Sequence, residues 1–301
     1  MAMRTPVTLI TGALGSGKTT LLRYLLSAVP KKVAILMNEF GEIAIDSQVI
    51  EGTNVRIAEL GGGCVCCALL GEFEAAVAEV IESVHPDLIM VETTGVAEPE
   101  ALVVDIQESL PQVRLDGVVT VADADALLRY SHWGHTTRAQ LEAADLILLN
   151  KIDLVSAAQR AELQDKLARL NAHAAILPTQ RCRVDPDVLF GLTGEPEVAP
   201  PPHVRAHTGT RHQPEVEAFS YVTTAILERD CFERFVAGLS PVVVRAKGFV
   251  RFAAGTSLFN FVAGRWELEP FAEKPTTLVF IGAQVTQHQA ALLTQLQACE
   301  R

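Results

Sequence analysis

Residues 11–20, TGALGSGKTT, place three glycines and a lysine followed by two threonines in a spacing that suits a phosphate ligand. Gly12 and the run Gly17–Thr19 match the pattern GxxxxGK[ST], whose backbone N–H groups surround the phosphates of a nucleoside triphosphate. The lysine would neutralise the terminal phosphates, and the first threonine after it would coordinate Mg²⁺. A glycine-rich turn without a ligand is the alternative. The predicted nucleotide-binding residues of this stretch are Gly12, Gly15, Ser16, Gly17, Lys18, Thr19 and Thr20.

A second motif, Asn150-Lys151-Ile152-Asp153, follows an apolar run. A carboxylate such as that of Asp153 can accept hydrogen bonds from N1–H and the 2-amino group of guanine, whereas adenine would leave it unpaired. Because an unpaired polar group in a binding site is costly, this contact discriminates strongly between bases. We therefore expect GTP, with Asn150 supporting the loop and Lys151 stacking on the base. An ATP-dependent kinase is an alternative that has no use for the carboxylate.

Between these motifs, the apolar run 87–91 leads to Glu92 and then to Gly95. We expect Glu92 to hold Mg²⁺ through water and the Gly95 amide to contact the γ-phosphate. Many small GTPases carry a water-positioning glutamine after this glycine, but here Val96 occupies the position, so we expect slow hydrolysis. A buried strand with a capped end is the alternative. The residues expected to carry the phosphoryl chemistry are Lys18, Thr19 and Glu92.

Half of the six cysteines lie in residues 61–67, GGGCVCC. Thiolates in this number suit Zn²⁺, Cu⁺ or Co²⁺, and the glycines allow the backbone to fold around an ion. Three sulfurs leave a tetrahedral ion one ligand short, which a glutamate of the loop 38–42 would supply. A redox pair or inert buried thiols are the alternatives. The predicted ligands are Cys64, Cys66, Cys67 and either Glu39 or Glu42.

Histidines form a second, weaker group of candidates for metal transfer. They are His132 and His135 in one segment, and His203, His207 and His212 in a proline-rich one.

The elements that must position these motifs follow an α/β pattern. Near-continuous runs of Val, Ile and Leu predict a mostly parallel sheet that helices cover on both faces, as in a P-loop NTPase domain. A smaller α+β domain is expected after it. Strands are predicted at 7–10, 33–37, 54–60, 87–93, 116–123, 145–151, 174–179, 217–226, 241–250, 257–262 and 276–282, and helices at 20–26, 156–170, 230–238 and 286–299. The predicted domains are 1–193 and 215–301, with a Pro/Gly/His-containing linker at 194–214.

Composition limits the partners and the compartment. The chain has 301 residues, and 25 Lys and Arg against 36 Asp and Glu give a net charge of −11, which argues against nucleic acid. We find no signal peptide and no apolar stretch of membrane-spanning length, so we expect a cytoplasmic protein without a membrane partner. In that reducing compartment all six cysteines are expected to be thiols or metal ligands.

Taken in order, the segments GALGSGKTT, NEFGE, GGGCVCC, ETTG and NKID resemble those of CobW-like GTPases, relatives of the HypB and UreG nickel-insertion GTPases. Residues 245–249, Trp266 and residues 278–282 are similar to the C-terminal domain of that family, so the resemblance covers nearly the whole chain. It implies a GTP-dependent metallochaperone that holds a metal ion at the CxCC cysteines and delivers it to a client metalloenzyme. Zn²⁺ is the expected ion, and Co²⁺ is the other candidate.

Two alternatives to general metal delivery stay open at this point. One is a cobalt or iron insertion protein that activates a single enzyme, of the cobalamin-pathway or nitrile hydratase type. The other is a non-enzymatic metal buffer or sensor with GTP as a regulatory ligand. The client and the oligomeric state, including a homodimer, also stay open.

Overall fold

The computed structural model describes residues 4–29, 32–37, 55–59, 70–93, 95, 98–130, 132–190, 216–239 and 242–301. The chain divides into two compact units, one extending to Arg183 and the other spanning Val184–Arg301. The predicted linker at 194–214 lies outside the described residues, and the predicted domain limits stay predictions. In the part of the chain that is described, no helix has both the length and the apolar composition to cross a membrane.

The first unit contains a seven-stranded sheet in the order β3-β2-β4-β1-β5-β6-β7. All neighbouring strands in it are parallel. Strands β1, β4 and β6 therefore end at the same edge, which is where the chemistry-bearing motifs begin. The strands are β1 (Thr5–Thr11), β2 (Val33–Met37), β3 (Val55–Glu59), β4 (Leu88–Glu92), β5 (Val113–Asp123), β6 (Leu146–Asn150) and β7 (Ala175–Pro178).

Helices connect these strands and cover the sheet. Every position of β2, β4 and β6 is buried, as expected for strands covered on both faces. The apolar sides of α2 and α3 pack on β1, β2, β4 and β5. The helices are α1 (Lys18–Ala28), α2 (Leu70–Val84), α3 (Glu100–Glu108), α4 (Ala124–Arg129), α5 (His135–Glu142) and α6 (Ala157–Leu170), and a 3-10 turn spans Ile152–Leu154.

The second unit is an antiparallel sheet in the order β11-β10-β9-β12-β8, packed against two helices. Its core is rich in phenylalanine, and the Phe232 ring meets those of Phe252 and Phe259 edge-on, at centroid distances of 5.7 and 5.1 Å. This architecture and the parallel sheet of the first unit confirm the predicted fold class. The elements are α7 (Pro186–Phe190), β8 (Val216–Thr223), α8 (Arg229–Ala237), β9 (Arg245–Phe252), β10 (Gly255–Val262), β11 (Arg265–Phe271), β12 (Thr276–Ala283) and α9 (Val285–Gln297).

Two elements of the second unit depart from the sequence expectations. Strand β11 was not predicted, because charged residues and Pro270 interrupt its apolar pattern; it is an edge strand that pairs with β10 alone. Helix α7, which was not predicted either, belongs to the second unit. Two of its carbonyl oxygens accept hydrogen bonds from β9. The buried Arg245 donates to Leu189 O, and Lys247 donates to Phe190 O.

The expectation that all cysteines are thiols or metal ligands is wrong for Cys231 and Cys299. These two residues form a disulfide, with Cα atoms 5.4 Å apart. The C-terminal backbone brings them together, since Glu228 N donates to Cys299 O at 2.8 Å and Arg301 N donates to Ile226 O at 2.9 Å. The expectation rested on the redox state of the compartment and took no account of the packing of α8 and α9.

Candidate nucleotide-binding site

The loop with phosphate-binding spacing joins β1 to α1 and leaves no room for side chains at its first and third glycines. Gly17 has φ 117°, and a Cβ there would lie 2.6 Å from Asn150 Nδ2 and 2.9 Å from Cys182 Sγ. Gly12 has φ 136°, and a Cβ there would lie 2.2 Å from the Val121 carbonyl oxygen. Only glycine meets both requirements, positive φ and close approach, so the loop is tightly seated on β5 and β6.

Lys18 opens α1 and turns back across the loop. Its Nζ donates to the carbonyl oxygens of Gly12 at 3.0 Å and Ala13 at 3.4 Å, and the side chain is buried. The side chain therefore brings its charge to the middle of the loop. Ser16 is fully buried, Thr19 is half-buried and Thr20 is exposed.

Strand β4 delivers Glu92 to the same edge of the sheet. Glu92 pairs in register with Ile10 of β1 and with Met37 of β2, and it is only 4% exposed. The next residue, Thr93, donates from Oγ1 to Thr11 Oγ1 at 2.8 Å. Mg²⁺ prefers hard oxygen donors such as carboxylates and hydroxyls. The buried Glu92 carboxylate and the Thr19 hydroxyl are donors of this kind, so they fit the ion.

Gly95 lies directly against the phosphate-binding loop. A Cβ on it would be 2.7 Å from the backbone nitrogen of Leu14. Gln140 Nε2 also donates to the Gly95 carbonyl oxygen, at 3.2 Å. The neighbouring Thr94, Val96 and Ala97 lie outside the described residues.

Asn150 joins the NKxD segment to the phosphate-binding loop. Its Nδ2 donates to Ser16 O at 2.8 Å, and its Oδ1 accepts from Cys182 N at 2.9 Å and from Thr179 Oγ1 at 3.3 Å. The residue is 2% exposed. Its amide thus holds three loops together at the end of β6.

Lys151 and Asp153 are less enclosed than Asn150. Lys151 has φ 61°, and its Nζ pairs with Asp123 Oδ2 at 2.6 Å. The charged end of its side chain therefore lies beside the residue that precedes α4. Asp153 lies in the 3-10 turn with an exposed side chain. An exposed carboxylate at this position is accessible to the edge of a base.

Sequence reasoning missed Cys182 and Gln140 as members of this site. The Cys182 thiol donates to Gly17 O at 3.3 Å, and burial raises its pKa to about 12, against a smaller lowering by the Lys151 charge. It therefore stays protonated at neutral pH. The available signal was its place just after β7, the last strand of the parallel sheet; Gln140, inside a polar helix, carried no comparable signal.

The predicted transition-metal ligands lie outside the described residues: Cys64, Cys66, Cys67, Glu39 and Glu42. Within the described segments, no group of three or more His, Cys, Asp and Glu side chains could hold a metal ion. His135 Nδ1 lies 2.9 Å from Glu98 Oε1 in an exposed pair. His203, His207 and His212 also fall outside the described part, and all of these metal assignments stay predictions.

Comparison with protein families matches residues 6–178 to the CobW/HypB/UreG nucleotide-binding domain and residues 216–300 to the cobalamin synthesis protein CobW C-terminal domain. The zinc chaperone YjiA of Escherichia coli is 35% identical over 197 residues, which cover 62% of this chain and 61% of that protein. The match thus spans about three fifths of the length of this relative.

One further relative and a solved structure of YjiA extend the comparison over the whole chain. Zinc-regulated GTPase metalloprotein activator 1 of Dictyostelium discoideum is 25% identical over 377 residues, covering 98% of this chain and 79% of that protein. A crystal structure of Zn(II)-bound YjiA GTPase from E. coli aligns over 100% of both chains, with a TM-score of 0.51 and 23% identity. This structural likeness shows a shared fold.

Proposed function

Because the chain belongs to the CobW/HypB/UreG family, we propose that it is a GTP-hydrolysing metallochaperone. It converts GTP and water to GDP and phosphate, and it uses this cycle to bind a transition metal ion and deliver it to a client metalloenzyme. The observation that carries the proposal is the hydrogen bond from Asn150 Nδ2 to Ser16 O, at 2.8 Å. This bond ties the loop with phosphate-binding spacing to the loop with guanine-reading spacing.

The phosphate end of the site has the charges and donors that phosphoryl transfer requires. Lys18 would lie along the β- and γ-phosphates, beside the loop N–H groups and the N-terminus of α1. Thr19 and Glu92 are the residues that would hold Mg²⁺, directly and through water respectively. When bound, Mg²⁺ neutralises the charge that develops on the transferred phosphoryl group. With Val96 after Gly95 in place of glutamine, intrinsic turnover is expected to be slow.

The base end of the site favours guanine. The Asp153 carboxylate is exposed, so it is accessible for hydrogen bonds with N1–H and the 2-amino group of the base. Asn150 is occupied by three protein contacts, which suits a role in shaping the loop. Lys151 would cover the base plane with its methylene chain while Nζ stays paired with Asp123.

Zn²⁺ is the proposed cargo, since relatives of this chain are named zinc chaperones and zinc-regulated GTPases. Cys64, Cys66 and Cys67, with Glu39 or Glu42, are the proposed ligands. Three thiolates and one carboxylate form a tetrahedral set that suits Zn²⁺ and also Co²⁺. The proposed setting is the cytoplasm.

The proposal is tested by comparing hydrolysis of GTP and ATP by the parent chain and by Lys18→Ala. The parent is expected to hydrolyse GTP in clear preference to ATP. Lys18→Ala should lose GTP hydrolysis by about a hundredfold or more, because a charge aimed at the transition state is removed. Lys32→Ala is the matched control, since Lys32 is an exposed lysine at the opposite end of β2.

Circular dichroism of each variant checks that its fold is intact. Equal hydrolysis of GTP and ATP would contradict the guanine-reading role of Asp153. Hydrolysis of GTP by Lys18→Ala at the parental rate would show that Lys18 is not a catalytic residue.

A further inference from the structure

Helix α5 contacts the segment that follows β4 at two places. Gln140 Nε2 donates to Gly95 O at 3.2 Å, and His135 Nδ1 lies 2.9 Å from Glu98 Oε1. Gln140 is 1% exposed, whereas His135 is on the surface. The inner contact therefore lies beside the phosphate-binding loop, and the outer contact lies in solvent.

The turn of α5 that carries Gln140 is itself held to the sheet. Thr120 Oγ1 on β5 donates to the Gln140 carbonyl oxygen at 2.7 Å, which ties this turn of α5 to the sheet. The Thr120 hydroxyl is buried. The amide of Gln140 is thus presented to Gly95 from a rigid base, since both its helix and the underlying strand are part of the core.

Gly95 has no side chain whose packing could fix its position, so a contact with its backbone is needed. Glycine has access to more backbone conformations than any other residue. On one side the phosphate-binding loop approaches so closely that a Cβ would be 2.7 Å from Leu14 N. Gln140 in addition donates a hydrogen bond to the Gly95 carbonyl oxygen. These two contacts together restrict rotation of the Gly95 backbone.

We propose that Gln140 is a positioning residue for recognition of the γ-phosphate, acting through the Gly95 backbone. The inference rests on the proposed GTPase function and on the expected contact between the Gly95 N–H and that phosphate. A donor held in place before the ligand arrives loses less conformational freedom on binding. Gln140 thereby contributes to the preference for the triphosphate over the diphosphate.

The inference predicts a selective loss of affinity. Only the triphosphate carries the group that Gly95 is expected to contact, so variants at Gln140 should bind it more weakly and bind GDP as before. A purely structural role for Gln140 would instead weaken both nucleotides together. The ratio of the two dissociation constants is therefore the informative quantity.

The experiment measures Kd for a non-hydrolysable GTP analogue and for GDP, with Mg²⁺, on the full chain. Gln140→Met keeps the side-chain length but removes the donor, and Gln140→Asn keeps the amide but shortens its reach by one methylene group. Both should weaken the GTP analogue by about three- to tenfold, as expected for loss of one hydrogen bond, and leave GDP within about twofold. Arg138→Ala, which removes an exposed contact with Glu142 on the same helix, is the matched control and should change neither constant.

Equal losses for both nucleotides, or no loss for either, in both Gln140 variants would overturn the positioning role. Should one variant fail to fold, as judged by circular dichroism, the other supplies the measurement. Should neither fold, Thr120→Val removes the hydrogen bond that ties the Gln140 turn of α5 to β5, and an unchanged ratio in that variant overturns the inference. A parent chain that binds neither nucleotide would instead contradict the proposed function.

Discussion

Among individual residues, Asn150 connects the most distant parts of the site. It is buried and hydrogen-bonds to Ser16 in the loop after β1 and to Thr179 and Cys182 in the segment after β7. Its partner Ser16 is 134 positions away in the chain. A side chain with both a donor and an acceptor in a fixed plane is needed for this geometry, so the asparagine has a structural role as well as a place in a nucleotide-binding motif.

We expect Asn150→Ala to lower both stability and nucleotide affinity. The change leaves the buried carbonyl of Ser16 and the N–H of Cys182 without their partner, and each unsatisfied group costs about 1–3 kcal/mol. The free energy of unfolding, measured in urea, should therefore fall by about 2–4 kcal/mol. GTP and GDP should both bind more weakly, because the loop that surrounds the phosphates loses its support.

Asn171→Ala is the matched control for this prediction. Asn171 is also buried, and its Nδ2 donates to the carbonyl oxygens of Leu141, Glu142 and Ala144, between α5 and β6. Asn171→Ala should lower the free energy of unfolding by a similar amount, while the folded variant retains the parental nucleotide affinity. A parental nucleotide affinity in Asn150→Ala would show that its contacts do not shape the site.

Among the secondary-structure elements, α8 is joined covalently to the segment that follows α9. The disulfide between Cys231 and Cys299 links residues 68 positions apart, from the first turn of α8 to the end of the chain after α9. Phe232 and Phe235 of α8 lie in the same apolar core as Leu292 and Leu296 of α9. The cross-link and the core therefore hold the same pair of helices.

We expect reduction of this disulfide to destabilise the second unit. Closing a loop of this length removes conformational entropy from the unfolded chain worth up to about 4 kcal/mol. Trp266 packs against the second-unit core, whereas Trp133 lies in the first unit, so Trp133→Phe leaves a fluorescent reporter of the second unit. The urea midpoint of unfolding, followed by the fluorescence of Trp266, should fall when a reductant is added.

Cys231→Ser combined with Cys299→Ser, in the Trp133→Phe background, is the control for the cross-link. This variant should show the reduced midpoint in both conditions. A midpoint in the disulfide-containing protein that reductant does not move would mean that the bond adds no stability.

For the chain as a whole, the proposed function requires that nucleotide and metal ion influence each other's binding. A nucleotide can change metal affinity only if it binds the metal-loaded and metal-free forms differently, and the effect is then reciprocal. The segment after β2 and the segment after β3 contain the proposed metal ligands, and both strands end at the edge of the sheet that bears the phosphate-binding loop. The described strands that lead into these two segments therefore end at the same edge of the sheet as β1.

We expect Zn²⁺ affinity to differ by about fivefold or more between chains bound to a GTP analogue, bound to GDP and free of nucleotide. A competitive chelator titration in the three states measures it. Cys66→Ala with Cys67→Ala should weaken Zn²⁺ binding strongly and remove the difference. Equal affinities in all three states would contradict coupling, and unchanged affinity in the double variant would contradict the cysteine ligands.

Much of the first unit could be predicted because its signals are local. Buried parallel strands appear as continuous apolar runs, and the glycine spacing of the phosphate-binding loop lies within ten consecutive residues. Strand β11 escaped prediction because an edge strand with charged residues has no distinct apolar pattern. The Cys231–Cys299 pairing escaped it because connectivity depends on which helices pack together.

The sequence alone therefore determined the type of fold, the family resemblance and the candidate phosphate and guanine motifs, since each is written in the spacing of neighbouring residues. The tertiary structure determined which side chains meet. Gln140 reaches Gly95 across 45 positions, and Asn150 reaches Ser16 across 134. Such contacts depend on strand order, register and helix packing, which bring distant residues to one edge of the sheet and leave no mark in the local spacing of either partner.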